Sequence, residues 1–193
     1  MSAAEKICGP CQACCVALKI EAPELRKPSG RPCAHLARTG CGIYETRPQV
    51  CRTFLCGWRL LPELDASWRP DLSGVMLLRL SEREVPGPYR AAGSGWVFVI
   101  LDDRKAFTPQ LARHIADLVT RKSAVYLSAM TPRIQLNEQL EAAAGDLDGV
   151  LAVLKQVHAR LLPARMGKGL GRILALYRAQ LDRMRAIMEQ KPR

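Results

Sequence analysis

Eight cysteines, all lying between Cys8 and Cys56, constrain this 193-residue chain more than any other feature. They run Cys8-x-x-Cys11-x-x-Cys14-Cys15, then Cys33, Cys41, Cys51 and Cys56, and none follows. A free thiol behaves as a small buried hydrophobe, and cysteines serving a core would be spread along the chain. Concentrated in this way, they point to a disulfide framework or to a metal or iron–sulfur site. The first residues, Met1 to Cys8, hold no apolar run of the roughly 7–15 residues found in a secretory signal. Nowhere is there an uninterrupted apolar stretch of the roughly 18–20 residues that crosses a membrane. The expected setting is the cytosol, away from membranes, where thiols stay reduced and such a pattern reads as metal-binding or redox-active.

A Cys-x-x-Cys turn serves a metal because its short loop aims two sulfurs at one point, and Cys14 supplies a third thiolate close by. A remote cysteine would complete an iron–sulfur corner. Cys15 complicates this, because adjacent side chains tend to point apart and Cys14 and Cys15 do not easily serve one small ion; one of the two faces a second metal or is a spare, partly exposed thiol. Eight thiols and His35 suffice for two tetrahedral sites of four nitrogen or sulfur ligands each. They suffice equally for one cluster with cysteines left over. Thiolate softness restricts the metal to zinc, iron–sulfur or Cu(I), and spacing does not choose zinc over iron. The candidate ligands are Cys8, Cys11, Cys14, Cys15, Cys33, Cys41, Cys51 and Cys56, with zinc or an iron–sulfur cluster as the expected cofactor. His35 is a further candidate, as a ligand or as a hydrogen-bond donor behind the ligands.

The second half of the cluster reads Arg31-Pro32-Cys33-Ala34-His35-Leu36, then Cys41-Gly42-Ile43-Tyr44-Glu45-Thr46-Arg47-Pro48-Gln49-Val50-Cys51-Arg52-Thr53-Phe54-Leu55-Cys56. With Cys8–Cys15, these elements all fall within the first third of the chain. Here the chain resembles the mostly bacterial zinc- or iron-chelating proteins named for their CxxCxxCC motif. The resemblance implies metal or iron–sulfur binding by those cysteines. A similar segment occurs in bacterial flagellin lysine N-methylases, which implies an enzymatic setting as an alternative. Nothing after about Trp58 adds to the match. Arg31, Arg47 and Arg52 put positive charge near the thiols, where it would lower their pKa and offset a tetrathiolate's negative charge. The alternative for these arginines is solvated surface or pairing with Glu45. Pro32 and Pro48 fix turns, and Tyr44 and Phe54 are expected to form a small apolar plug.

The fold class expected is α+β, a cysteine-rich metal-binding loop domain at residues 1–60 packed on a small sheet, with residues 61–193 ending in a helical hairpin. Residues 1–60 hold little aliphatic material, and a region that small commonly needs a metal staple. Val75–Leu80, Trp96–Leu101 and Ala124–Met130 are apolar runs of strand length bounded by turn residues. Ser81–Ser94 between the first two is a turn or loop. Thr108-Pro109 opens a helix with a cap and a first-turn proline, continuing to about Lys122. From Asp146, Leu147, Val150, Leu151, Leu154, Val157, Leu161 and Leu162 recur at helical spacing. A second stripe runs from about Leu170 to Met188, with Pro163 and Gly167–Gly171 between the two.

The formal charge of +11 raises the question of nucleic acid. Residues 1–60 carry nine basic and four acidic side chains, and metal-bound thiolates would cancel part of that excess. The most basic element is the last helix, with Arg165, Lys168, Arg172, Arg178, Arg183, Arg185 and Lys191. Opposite an apolar stripe, such residues usually form a solvated face; an RNA or acidic protein partner is the alternative. Gly167–Gly171 lacks the Gly-x-x-x-x-Gly-Lys-Ser/Thr layout and is a connector. Asp102-Asp103 reads as a strand-end turn, and His114 and His158 sit in helices without ligand-spaced neighbours. Three functional readings remain: a metalloprotein with a structural, redox or metal-handling role; a redox or protein-modifying enzyme; and a zinc-stapled adaptor.

Overall fold

The computed structural model of the chain describes residues 6–129, 132–143 and 145–165. The cysteine-rich region is built of very short pieces. Helix α1 (Ala13–Ala17) is followed by an antiparallel hairpin, β1 (Ile20–Ala22) with β2 (Leu25–Lys27). A two-residue ladder follows, β3 (Leu36–Ala37) with β4 (Gly40–Cys41), then α2 (Gln49–Thr53) and α3 (Gly57–Leu60). None of these pieces is long enough to stand alone, since isolated short helices and two-stranded ribbons are marginal in water.

The rest is arranged about one four-stranded sheet. A 3₁₀ turn at Ala66–Trp68 and helix α4 (Pro70–Ser73) lead into β5 (Val75–Arg79). The segment expected as loop, Ser81–Ser94, contains two 3₁₀ turns, Glu82–Glu84 and Gly87–Ala92, before β6 (Gly95–Ile100). Helices α5 (Asp103–Ala106) and α6 (Pro109–Thr120) cross to β7 (Ala124–Ser128), and β8 (Arg133–Gln135) closes the edge. Strand order is β5-β6-β7-β8; β6 and β7 are parallel and the outer pairs antiparallel. Every residue of β6 is buried, as a strand with both faces covered must be. Two further helices follow, α7 (Asn137–Leu140) and α8 (Leu147–Arg165).

The local chemistry explains the boundaries. Thr108 caps α6 by accepting from the Leu111 N–H, and Pro109 takes the first helical position, where no N–H is needed. Asp102 caps α5 by accepting from the Arg104 N–H, so the acidic pair is the expected strand-end turn. Leu111, Ala112, Ile115, Ala116 and Val119 of α6 and Val150, Leu154, Val157 and Leu161 of α8 are buried, facing one core with Phe98, Val125 and Leu127. Buried Asn137 joins two layers: its side-chain oxygen accepts from the Val125 N–H at 2.9 Å and its amide donates to Ser123 O at 2.7 Å. Helix α8 runs through Pro163 rather than stopping before it; the proline removes one N–H from the ladder two residues from the end.

The mixed helix and sheet architecture is the expected α+β class. Strand β8 and helix α7 were outside the expectation, being too short for periodicity to register. The second helix of the expected hairpin, from Leu170 to Met188, and the Gly167–Gly171 connector lie outside the described residues. Among the described residues no helix is long and apolar enough to cross a membrane.

Two buried lysines fasten the cysteine-rich region. Lys6, 4% exposed, donates to the carbonyls of Trp58 at 2.9 Å, Leu61 at 2.6 Å and Leu64 at 2.6 Å. Lys27, 7% exposed, donates to Val16 O and Pro28 O, both at 3.1 Å, and to Leu18 O. An ammonium group has three protons and no acceptor, so each lysine gathers carbonyls from the last turn of a short helix and from the chain beyond it.

Candidate metal centre

The backbone brings the cysteines together in stages. The Cys11 N–H donates to Cys8 O at 3.1 Å, closing the Cys-x-x-Cys turn, and α1 then carries Cys14 and Cys15. Cys33 is drawn back onto this helix, its N–H donating to Cys15 O at 2.9 Å. Cys41 lies on β4 opposite Leu36, and the Gly42 N–H reaches His35 O at 2.8 Å. The Gln12 amide ties the start of α1 to that ladder through Ala37 O at 2.9 Å and Arg38 O at 3.1 Å. Gly40 is necessary at the ladder's turn: its φ is +125°, and a Cβ there would lie 2.7 Å from Gly9 O. Cys51 sits in α2, its N–H on Pro48 O at 2.9 Å, and Cys56 immediately precedes α3.

All eight thiols are free, and they border two adjoining cavities. The larger holds about 370 Å³ and is partly open to solvent. Its walls include seven cysteines (all but Cys56) together with His35, Tyr44, Arg47 and Phe54. The smaller, about 40 Å³, is bordered by Cys8, Cys11, Cys14, Cys51 and Cys56, with Arg47, Arg59 and Trp58. Thiols separated by up to 48 positions in sequence therefore meet on one surface of the molecule. Among the described residues no three Cys, His, Asp or Glu side chains stand in a finished metal-ligand arrangement. The sulfurs line the cavities and would have to draw inward to close round an ion.

Charge and burial divide the thiols sharply. Burial pushes Cys11 up to about 11, and the Asp71 carboxylate adds to this. Cys14 is raised further, first by the hydrogen bond it shares with Cys15 and then by burial. That same hydrogen bond lowers Cys15 to about 6; burial opposes the shift and the charges of Lys27 and Arg47 assist it. Burial also raises Cys51 and Cys56. The Arg47 guanidinium lies 3.6 Å over the Tyr44 ring, and its buried Nε has no hydrogen-bond partner among the described residues. The buried Nε of Arg59, beside Cys56, is likewise unpartnered.

A direct consequence concerns metal-free protein. Cys15 is ionised above about pH 6 while Cys11, Cys14 and Cys51 are raised, so it is the thiol expected to react first with iodoacetamide near neutral pH. Because its pKa is lowered, labelling should fall away as pH drops through about 6. Peptide mass spectrometry after a short pulse measures this, and earlier modification of Cys11 or Cys51 would refute it.

Of the expected positive neighbours, Arg47 is on both cavities, whereas Arg31 and Arg52 are exposed. Phe54 borders both cavities and packs against the core, and Tyr44 serves as the platform for Arg47. His35 is exposed on the rim of the larger cavity. His114 is elsewhere, its ring 4.8 Å from Trp68 and its pKa lowered by burial. His158 lies 5.3 Å from Phe107 in the core. Sequence reasoning missed Lys27, Arg59 and Asp71 as groups around the thiols. Asp71 is held by Arg69 through a paired contact of 2.7 and 3.0 Å and receives a hydrogen bond from Cys11. No protein-family model, curated protein or solved structure matches the chain.

Proposed function

We propose that this protein is a cytosolic metalloprotein holding zinc or an iron–sulfur cluster through its N-terminal cysteines, with a structural, redox or metal-handling role. The observation that carries the reading is the convergence of eight free thiols, from Cys8 to Cys56, on two adjoining cavities. Thiolates select soft metals, and Arg47, Arg59 and Lys27 supply the positive charge a thiolate site needs. The larger cavity, at about 370 Å³, is more spacious than a single ion requires, which favours a polynuclear iron–sulfur cluster there. Burial raises Cys11, Cys51 and Cys56, so loading them with metal must displace protons and weakens as pH falls.

A redox or protein-modifying enzyme is the second reading. It is favoured by the ionised Cys15 in an open cavity and by the likeness of the cysteine segment to that of flagellin lysine N-methylases. The adaptor reading, with RNA or an acidic protein on the basic residues near the C-terminus, falls almost wholly outside the described residues.

The test is anaerobic purification followed by elemental analysis, acid-labile sulfide assay and a visible spectrum. Iron with sulfide and broad absorption near roughly 400 nm supports a cluster; colourless protein with bound zinc supports a mononuclear site. Cys11→Ser is expected to lower metal content in either case. Wild-type protein that retains neither metal, before or after anaerobic reconstitution, sinks the proposal.

A further inference from the structure

We infer that the eight cysteines form two separate tetrathiolate sites: a closed one from Cys8, Cys11, Cys14 and Cys56, and an accessible one from Cys15, Cys33, Cys41 and Cys51. The division rests on the metal-centre reading above and adds stoichiometry, ligand sets and a difference in access.

The cavities supply the first argument. Cys56 borders only the smaller cavity, while Cys15, Cys33 and Cys41 border only the larger. The smaller one, about 40 Å³, has room for an ion and little else; the larger is nearly ten times its size, and both are partly open. Closed four-sulfur sites are structural, whereas a site facing open space can exchange its metal or admit a partner.

The second argument is helical geometry. Cys14 and Cys15 are successive residues of α1 and so project about 100° apart. Besides Cys15, the thiols whose charges bear on Cys14 are Cys8 and Cys11, while the charges of Lys27 and Arg47 bear on Cys15. Cys8, Cys11, Cys14 and Cys51 border both cavities; the thiols whose charges bear on Cys51 are Cys15, Cys33 and Cys41, which places it with them. The thiol neighbour of Cys56 is Cys8. The backbone agrees, since Cys33 is hydrogen-bonded to Cys15 and Cys41 is on the ladder that follows it.

A third argument comes from the unpartnered donors. Arg59 Nε lies buried beside Cys56, and Arg47 Nε lies buried beside Cys15 and Cys51. Four thiolates round a divalent ion leave a net charge of −2, and sulfur accepts hydrogen bonds. Each quartet therefore has its own orphaned guanidinium donor.

Anaerobic titration of metal-free, full-length protein with Co²⁺ reads the division through tetrathiolate visible absorption. Wild type is expected to saturate at about two Co²⁺ per chain, and Cys56→Ser and Cys41→Ser at about one each. A chelator should withdraw cobalt from Cys56→Ser, which keeps the accessible site, roughly tenfold faster than from Cys41→Ser. Cys8→Ser and Cys33→Ser repeat the comparison with a second ligand of each quartet. The wild-type count does not depend on any variant's folding. Wild-type saturation at one ion, or loss of all cobalt from both Cys56→Ser and Cys41→Ser with the sheet still folded by circular dichroism, overturns the division. Zinc or iron retention by wild type would then leave the metal-centre reading standing, whereas failure to bind cobalt, zinc or iron overturns both.

Discussion

Stripping the proposed metal is expected to unfold the region from Lys6 to about Phe54 while the four-stranded sheet stays folded. The asymmetry follows from where the apolar surface lies. Before Cys56 the buried hydrophobic residues are Ala17 and Cys33, whereas from Val75 to Leu161 the core includes Phe98, Met76, Ile115, Leu127 and Leu154. The elements before α3 are five-residue helices and strands of two or three residues. Each would melt alone. Structural zinc in small domains supplies about 10–16 kcal/mol of binding free energy that is also folding free energy, far above what these pieces hold by themselves. Hydrogen exchange read by mass spectrometry, with and without chelator under anaerobic conditions, tests this. The amides of Cys33, Leu36 and Gly42 should lose their protection by orders of magnitude, while those of β6 and β7 keep theirs. Equal protection in both states would mean that metal, if bound, does not staple the fold. Collapse of both regions together would mean that the sheet depends on the cysteine region in a way its own core does not indicate.

What could be read from the residues followed the length of the signal. The runs at Val75, Gly95 and Ala124 and the stripes behind Pro109 and Leu147 are long and regular, and each became a strand or helix. Strand β8, with three residues, and α7, with four, are held by their surroundings, chiefly the Asn137 bridge and the β7 edge; periodicity has nothing to register at that length. In the cysteine region the gathering of the thiols was legible because thiol clustering has few purposes, but which thiols lie beside which was not. That is a question of three-dimensional approach. The lysines mislead in the opposite direction. Lysine is a residue type mostly found exposed, yet Lys6 and Lys27 are both buried because each ammonium collects carbonyls from the end of a short helix and the chain beyond it. No spacing rule distinguishes such a lysine from its solvated neighbours.

Gly57→Ala is expected to be among the most damaging single substitutions outside the cysteines. A Cβ at this position would sit 2.4 Å from Leu77 Cβ and 3.1 Å from Trp96 Cζ3. The first of these atoms is fixed to the backbone of β5 and cannot rotate away. Helix α3 must instead lift from the sheet, at a cost of about 3 kcal/mol by comparison with overpacked cores. For a chain of this size that lowers Tm by roughly 9 °C. Leu77→Ala should not rescue the loss, because the colliding Cβ remains. Gly87→Ala is the control, since a Cβ there meets nothing within 4 Å. The consequence reaches the thiols. Cys56 precedes Gly57 directly, its carbonyl accepts from Arg59 and Leu60 of the same helix, and it is 9% exposed in the core that α3 shares with the sheet. Lifting α3 therefore withdraws Cys56 from Cys8, Cys11 and Cys14. If those four form a site of their own, Gly57→Ala should weaken metal at that site alone, with Cys15, Cys33, Cys41 and Cys51 keeping theirs. A stable variant with unchanged Tm would mean that α3 can shift along β5 without strain; a destabilised variant that loses both metals together would mean that the two quartets are one.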